Sequence, residues 1–337
     1  MSYTEEKLAA NGYRRTYADD LARLVEQRQQ QAAAKRAAYA QNIFTDPEPY
    51  REQFKRMLGW PLVDHQPEAL PAPQSELLAA EDGYHLYRMQ FEVLPGLHMH
   101  GLLYRADGDD RKPLVLVQHG GNGTPEFIGN LFGEGTANYN DMLQRVKKHG
   151  VHIFAPQLLL WEESYEVPYN RQDLDIRLKR VGGSITAVEV YGLQRILDYF
   201  EAQPYVSCFG MVGLSYGGFY TLFTTAIDTR IRSAVSCAYF NTRDKVPWVD
   251  WTWFGAAETF DDAEVACLVY PRRLCLEIAD HDELFDHQYG VQSFETVKQL
   301  CREVGTDWIK LIVFDGCHEF CHDDAPIEQL IADLQAN

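Results

Sequence analysis

The strongest constraint on the fold is an alternation of short apolar segments with amphipathic segments from about residue 113 to the end of the chain. The apolar segments have the length of strands, and the segments between them have the apolar spacing of helices. This alternation is typical of an α/β protein with a mostly parallel sheet covered on both faces by helices. The six strand candidates are PLVLVQ near Leu114, VHIFAP near Val151, CFGMVGL near Cys208, IRSAVSCAY near Ile231, RRLCLEIA near Arg273 and IKLIVFDG near Ile309.

Two more strand candidates precede these six. HLYRMQFEV and LHMHGLLYRA are separated by Pro95 and Gly96, which is a hairpin signal. The sequence therefore predicts an eight-stranded sheet. Helices are predicted between the strands, at residues 138–149, 184–200, 217–227, 284–304 and 326–334.

A helical extension is predicted to precede the sheet and to occupy residues 1–76. Residues 18–39 are rich in Ala, Gln, Arg and Glu and contain neither Gly nor Pro, so they favour a long helix. A second helix is expected after Asp46 as its N-cap, with Pro47 as its first residue. Residues 77–337 then form the α/β domain.

Composition excludes several classes of partner. The formal net charge of -18, from 31 basic and 49 acidic residues, repels phosphate backbones, so nucleic acid is not expected as a partner. No segment approaches the roughly 20 apolar residues of a membrane span. The N-terminus lacks the pattern of a secretory leader, and the seven cysteines fit reduced thiols, so we expect a cytoplasmic protein.

The segment Gly213-Leu214-Ser215-Tyr216-Gly217 has the pattern G-x-S-x-G between a predicted strand and a predicted helix. A serine on such a tight turn has its hydroxyl exposed above the sheet, with a helix N-terminus behind it. Glycines two residues before and after it leave room for this turn. Ser215 is therefore the candidate nucleophile.

A serine hydroxyl needs a base, and the base needs an acid that orients it. Asp282 follows the strand RRLCLEIA and is the candidate acid, with Asp280 as the alternative. His318 follows the next strand and a Gly turn, and it is the candidate base. The order Ser, Asp, His along the chain is the order that this strand-turn-helix serine motif requires.

An anionic transition state needs two backbone amides directed at it. The amide of Tyr216, next to the candidate nucleophile, is the first donor. The strand PLVLVQ ends in a Gly-rich loop, in which Gly121 is the candidate second donor and Asn122 the alternative.

These motifs resemble the α/β-hydrolase superfamily over residues 113–335, in the group that contains acetyl xylan esterases, dienelactone hydrolases and prolyl-oligopeptidase-type peptidases. HGGNG is similar to the oxyanion loop of the acetyl xylan esterases and deacetylases, and this similarity places Gly121 at the donor position. GLSYGGF and ADHDELF resemble the peptidase branch, and this similarity assigns the acid to Asp282. Tyr216 departs from the deacetylases, which usually have Gln at this position.

The resemblance implies a serine carboxylesterase that acts on small acyl esters, including esters of carbohydrates, without a cofactor or a metal. A peptidase or a C–C bond hydrolase with the same three residues is the alternative, and a noncatalytic binding scaffold is a third hypothesis. A small-molecule ester is the expected partner, and a homo-oligomer is one further prediction.

Aromatic residues in two segments are candidates for substrate binding. An insertion at about residues 240–272 carries Trp248, Trp251 and Trp253, and Trp161 follows the strand VHIFAP. Indoles form good walls for sugar rings or acyl groups, although core packing explains them equally well. Cys317, His318, Cys321 and His322 have the residue types of a zinc site but lack a second ligand pair elsewhere, so no metal is expected.

Overall fold

The structure is a computed structural model that describes residues 2–66, 68–69, 71–162 and 164–336. In this part of the chain nine strands form one sheet. The strands are β1 (Gln74–Glu81), β2 (Tyr84–Leu94), β3 (Leu97–Ala106), β4 (Lys112–Gln118), β5 (His152–Pro156), β6 (Val206–Leu214), β7 (Ile231–Cys237), β8 (Arg273–Ala279) and β9 (Ile309–Phe314).

The strands lie in the order β1-β2-β3-β5-β4-β6-β7-β8-β9. Strands β1 to β3 pair antiparallel, and β3 also pairs antiparallel with β5. All pairs from β5 to β9 are parallel. The carboxyl ends of the parallel strands therefore meet at one edge of the sheet, and the loops that follow β4, β6, β8 and β9 all begin there.

Ten α-helices accompany the sheet within the described ranges. They are α1 (Asn11–Tyr39), α2 (Glu48–Leu58), α3 (Pro125–Ile128), α4 (Met142–Lys147), α5 (Arg171–Lys179), α6 (Ile185–Glu201), α7 (Tyr216–Ile227), α8 (Asp262–Cys267), α9 (His287–Leu300) and α10 (Ala325–Gln335). One hydrophobic core contains residues of α2, α6, α7 and α8 against one face of the sheet. A second core, with α4 and α10, covers the other face.

The predicted fold class is confirmed, and the sheet has one strand more than the eight predicted. The additional strand is β1, and its first three residues fall within the predicted extension. Its sequence, QSELLAAE, lacks the alternation of apolar and polar residues that predicts a strand, because most of its side chains are exposed on both faces. The Leu and Ala residues in it favour a helix. Pairing with β2 decides its conformation. The predicted boundary at residues 76 and 77 lies inside this strand.

Helix boundaries differ from the predictions in several places. The helix predicted at 138–149 is reduced to α4, and α3, α5 and α8 were not predicted. The N-cap of α2 is Pro47, not Asp46. Helix α8 had a recognisable signal, because Asp261 and Glu264 form a capping box in which each side chain binds a backbone amide.

The N-terminal extension is attached to the sheet through α2. Phe54 packs against Phe223 of α7 with ring centroids 4.9 Å apart, and Arg51 Nε donates to the Ala226 carbonyl at 3.2 Å. Helix α1 is exposed along most of its length, with Ala32 buried and Arg36 and Tyr39 half-buried. Near the C-terminal end of α1, the guanidinium of Arg36 lies 3.3 Å from the carboxylate of Glu264 on α8, and this ion pair connects the two helices.

No described helix has the length and apolarity needed to cross a membrane. All seven cysteines are free thiols, and only Cys317 is exposed. The cytoplasmic location and the homo-oligomer stay predictions.

Glu277 of β8 is fully buried, and neither of its carboxyl oxygens has a hydrogen-bonding partner in the described chain. Burial raises the pKa of Glu277 from 4.5 to about 7, because the apolar surroundings disfavour the charged form. The folded state therefore binds this proton more tightly than the unfolded state does. Stability from this group is fully present below pH 4.5 and is lost as the pH rises through about 7.

Replacing Glu277 by Gln removes this titration. We expect the free energy of unfolding of the wild type, relative to Glu277→Gln, to fall by about 3 kcal/mol between about pH 4.5 and pH 8. Urea unfolding of both proteins across this range measures the difference. Glu134→Gln, at an exposed position, is the matched control and should follow the wild type at every pH. A constant difference between wild type and Glu277→Gln would contradict the interpretation.

Candidate active site

Ser215 lies at the turn between β6, which ends at Leu214, and α7, which begins at Tyr216. Its backbone has φ 59° and ψ -120°, a conformation that non-glycine residues rarely adopt. The Ser215 amide donates to the carbonyl of Cys237 on the adjacent strand at 2.9 Å, which holds the strained turn in place. The strand-turn-helix arrangement is the one expected for an exposed nucleophile.

The glycines around Ser215 allow α7 to approach the sheet closely. A Cβ atom on Gly213 would overlap the backbone of Gly217, and one on Gly217 would overlap the carbonyl oxygen of Gln118 on β4. A Cβ on Gly218 would overlap the Cys237 carbonyl oxygen. The three positions therefore exclude any side chain for steric reasons.

His318 connects Ser215 to Asp282. Its Nε2 lies 2.9 Å from Ser215 Oγ, and its Nδ1 lies 2.9 Å from Asp282 Oδ2. With the proton on Nδ1, the imidazole donates to the carboxylate, and Nε2 is oriented to accept the hydroxyl proton of Ser215. The side chains of His318 and Asp282 are 11% and 1% exposed, so this chain of hydrogen bonds is largely shielded from water.

The loop after β8 resolves the choice between the two aspartates in geometric terms. Asp282 Oδ1 accepts from the amides of Leu284 and Phe285 at 2.8 and 3.0 Å, which leaves Oδ2 for His318. Asp280 instead accepts from the Gly316 amide at 3.2 Å and does not contact the imidazole. Asp282 is therefore the carboxylate that is hydrogen-bonded to His318.

The two predicted oxyanion donors belong to segments that adjoin Ser215. Tyr216 N begins α7, and the Gly-rich loop passes so close that a Cβ on Gly120 would lie 3.3 Å from Ser215 Cβ. Within the described residues, neither Gly121 N nor Tyr216 N donates a hydrogen bond. The side chain of Asn122 accepts from the Glu162 amide at 3.2 Å and so binds the neighbouring loop.

His119 fixes the position of the Gly-rich loop, a role that sequence reasoning missed. It is fully buried, and its Nε2 accepts from the Leu158 amide at 3.0 Å. Burial lowers the pKa of His119 to about 4, so the imidazole is neutral and can accept this bond. The Trp161 amide donates to the Gly121 carbonyl at 2.8 Å, which joins the same two loops again.

A cavity of about 620 Å³ opens above Ser215. None of the described residues that line it is Asp, Glu, Lys or Arg, and His318 is the only titratable group other than tyrosine. Five of the fifteen described residues that line the cavity are Phe, Tyr or Trp. The lining residues include three that sequence reasoning did not select, namely Phe127, Tyr139 and Leu284.

The structure separates the four predicted substrate-binding tryptophans into two pairs. Trp161 and Trp248 line the cavity, with ring centroids 5.2 Å apart. Trp251 and Trp253 are 2% and 6% exposed and belong to the hydrophobic core. Trp251 stacks on Phe219 at 4.4 Å. The prediction that Trp251 and Trp253 bind substrate is therefore not supported by their positions, because core packing occupies their rings.

The residues considered for zinc do not form one ligand group. Among the described residues, three potential ligand atoms meet only at the partly exposed cluster of Asp280, His281 and Asp315. Cys317, Cys321 and His322 are not part of it. His318 is engaged with Ser215 and Asp282.

Comparisons with solved structures identify the fold. A putative acetyl xylan esterase from Bacteroides fragilis is 16% identical, with a TM-score of 0.65 over 79% of this chain and 74% of that one. A glucuronoyl esterase from Solibacter usitatus is 12% identical, with a TM-score of 0.62 over 85% and 92%. An acetyl xylan esterase from Paenibacillus sp. R4 is 16% identical, with a TM-score of 0.59 over 84% and 92%.

No protein-family model matches the chain, and no curated protein matches its sequence. The chain has the α/β-hydrolase fold, which the sheet order and these structures show together.

The close approach of α7 to β4 gives a prediction for Gly217→Ala. The added methyl group meets a carbonyl oxygen of a central strand, so neither side can yield easily, and we expect a loss of about 3 kcal/mol or more of stability. Thermal unfolding followed by circular dichroism measures it. Gly12→Ala is the control, because that glycine is helical and has no neighbour within 4 Å, and its Tm should not fall. Equal Tm values for the two variants would refute the steric argument.

Proposed function

We propose that this chain is a serine carboxylesterase that cleaves small acyl esters through an acyl-enzyme intermediate. The observation that carries the proposal is the hydrogen-bonded series Asp282, His318 and Ser215, which ends at a strained turn on the floor of a cavity. The resemblance of the fold to esterases of known structure supports it.

In the proposed reaction, His318 Nε2 removes the Ser215 proton as Oγ attacks the ester carbonyl. Asp282 stabilises the imidazolium that forms. The amides of Gly121 and Tyr216 stabilise the oxyanion. His318 then protonates the departing alcohol, and a water activated by the same imidazole hydrolyses the acyl-enzyme.

The cavity favours a neutral substrate of moderate size. Its volume of about 620 Å³ suits a small ester, and its described walls offer no Lys or Arg to bind a carboxylate. Trp161 and Trp248 provide flat apolar faces suited to a sugar ring. Acetyl esters, including acetylated carbohydrates, are therefore the favoured substrate class. An acyl ester panel, tested beside aminoacyl amides and aryl diketones, separates this proposal from the peptidase and C–C hydrolase alternatives.

Ser215→Ala tests the nucleophile. The variant removes only Oγ, so we expect it to fold normally and to lose hydrolysis of p-nitrophenyl acetate down to the background rate. Labelling with a fluorophosphonate, which reacts only with an activated serine, should mark the wild type and not the variant. Retained turnover in Ser215→Ala would overturn the proposal, and an unlabelled wild type would favour a noncatalytic scaffold.

A matched pair of substitutions tests the acid. Asp282→Asn should lower kcat roughly 10³- to 10⁴-fold, because an amide in place of the carboxylate favours the wrong tautomer of His318 and cannot stabilise the imidazolium. Asp280→Asn alters a carboxylate two residues away that does not contact His318, so its kcat should stay within a few-fold of the wild type. Equal losses of kcat in the two variants would contradict the assignment of Asp282.

A further inference from the structure

A buried ion cluster lies behind the cavity and joins segments that are far apart in the sequence. It consists of Arg171 on α5, Glu189 on α6 and Asp250 in the insertion, and we name it the Arg171 cluster. The three residues are 0%, 4% and 0% exposed. Arg171 Nη2 lies 2.6 Å from Glu189 Oε2, and Arg171 Nε lies 2.9 Å from Asp250 Oδ2.

The guanidinium stays charged in this environment. Burial alone lowers the pKa of Arg171, but Glu189, Tyr220 and Asp250 raise it more, so the pKa lies well above its ordinary value. A buried ion cluster of this kind adds little net stability compared with apolar packing, because desolvation of the charges offsets their attraction. It does fix the directions of the hydrogen bonds that it makes.

One set of these bonds fixes the loop that carries Trp161. Arg171 Nη1 donates to the Leu159 carbonyl at 2.8 Å, and the Leu159 amide donates to Glu189 Oε1 at 2.7 Å. Both backbone groups of Leu159 are therefore bound to the cluster. Two residues later, the Trp161 amide binds the Gly121 carbonyl. The loop that carries Trp161 is thus bound to the Arg171 cluster, and the Gly-rich loop is connected to the cluster through it.

A second set of contacts fixes the Tyr216 ring, which lies beside Trp161. The Tyr216 hydroxyl donates to Asp250 Oδ2 at 2.9 Å. The Tyr216 ring lines the cavity between two tryptophans, with centroids 5.5 Å from Trp161 and 5.9 Å from Trp248. Asp250 therefore holds the hydroxyl end of this ring, which also packs on Trp251 with centroids 4.6 Å apart, and the ring occupies space in the cavity beside Ser215.

We propose that Arg171, Glu189 and Asp250 are positioning residues that hold the Tyr216 ring and the Trp161 loop, and that the held Tyr216 ring limits the length of the acyl group. This inference rests on the proposed esterase function. It assigns the side chain of Tyr216 a role in specificity that is separate from the role of its amide.

Replacing Arg171 is an unsuitable test, because two buried carboxylates would lose their partner and the fold would be strongly destabilised. Tyr216→Phe removes one oxygen atom and keeps the ring and the amide. Tyr220→Phe is the matched control. The Tyr220 hydroxyl also accepts a hydrogen bond from Arg171, but Tyr220 is fully buried and does not line the cavity.

The measurement is the ratio of kcat/KM for p-nitrophenyl acetate to that for p-nitrophenyl butyrate. In Tyr216→Phe the ring is no longer held by Asp250 and is positioned only by its aromatic neighbours, so an acyl chain can displace it more easily. We expect the ratio to fall about fivefold to tenfold in favour of butyrate, which corresponds to the net value of one buried hydrogen bond. In Tyr220→Phe the ratio should stay within about twofold of the wild type, although a similar bond is lost.

Glu189→Gln provides a second variant, which tests the Trp161 loop. It keeps an oxygen that accepts from Leu159 but weakens the bonds to Arg171, so the Trp161 loop should loosen and the ratio should again fall. Both tyrosine variants are expected to lose similar amounts of thermal stability. A purely structural cluster would lower Tm in all three variants and leave the ratio unchanged, and this result would overturn the inference.

The failure of this inference differs from a failure of the proposed function. If the wild type hydrolyses both esters and Ser215→Ala hydrolyses neither, the esterase proposal stands, and an unchanged ratio in Tyr216→Phe and Glu189→Gln overturns only the positioning role. A wild type that hydrolyses neither ester overturns both proposals.

Discussion

The backbone contact between the start of α7 and strands β4 and β7 is the constraint on which the rest of the site depends. Gly217 and Gly218 let α7 approach these strands without side chains between them. Because the helix lies so close, the connection from β6 must turn sharply, and the backbone of Ser215 adopts a strained conformation. The same approach places the Ser215 hydroxyl and the Tyr216 amide on the edge where the loops after β4, β8 and β9 begin.

The parts of this arrangement that were predictable have local signals. Gly213 and Gly217 are required because a side chain at either position would clash within the tight turn around Ser215. Strands β4 to β9 are apolar segments of the length typical of strands. Asp282 and His318 follow such strands directly, so their meeting at one sheet edge follows from parallel topology. The resemblance of ADHDELF already favours Asp282 over Asp280, but the way in which two loop amides bind one oxygen of Asp282 and leave the other for His318 is not specified by any pattern.

The parts that were not predictable depend on contacts between distant segments. Strand β1 has the composition of a surface segment and becomes a strand through its pairing with β2. Trp248 and Trp251 are three residues apart in one aromatic insertion, and only the packing of Trp251 on Phe219 separates a core residue from a cavity wall. Amino-acid composition alone does not distinguish a tryptophan of the core from one that lines the cavity.

The Arg171 cluster is another feature that depends on contacts between distant segments. Arg171 lies in a polar helix whose sequence has the appearance of a solvated surface, yet its side chain is fully buried. An arginine at such a position is acceptable only because Glu189 and Asp250 arrive from α6 and from the insertion to pair with it. The candidate catalytic residues therefore follow from strand ends and turns, whereas the contacts of Tyr216 and of the Trp161 loop depend on charges brought together by tertiary structure. Because one fold can carry many activities, the substrate is decided by the residues that shape the cavity, and in this chain two of them, Trp161 and Tyr216, are bound to the Arg171 cluster through the Leu159 backbone and through Asp250.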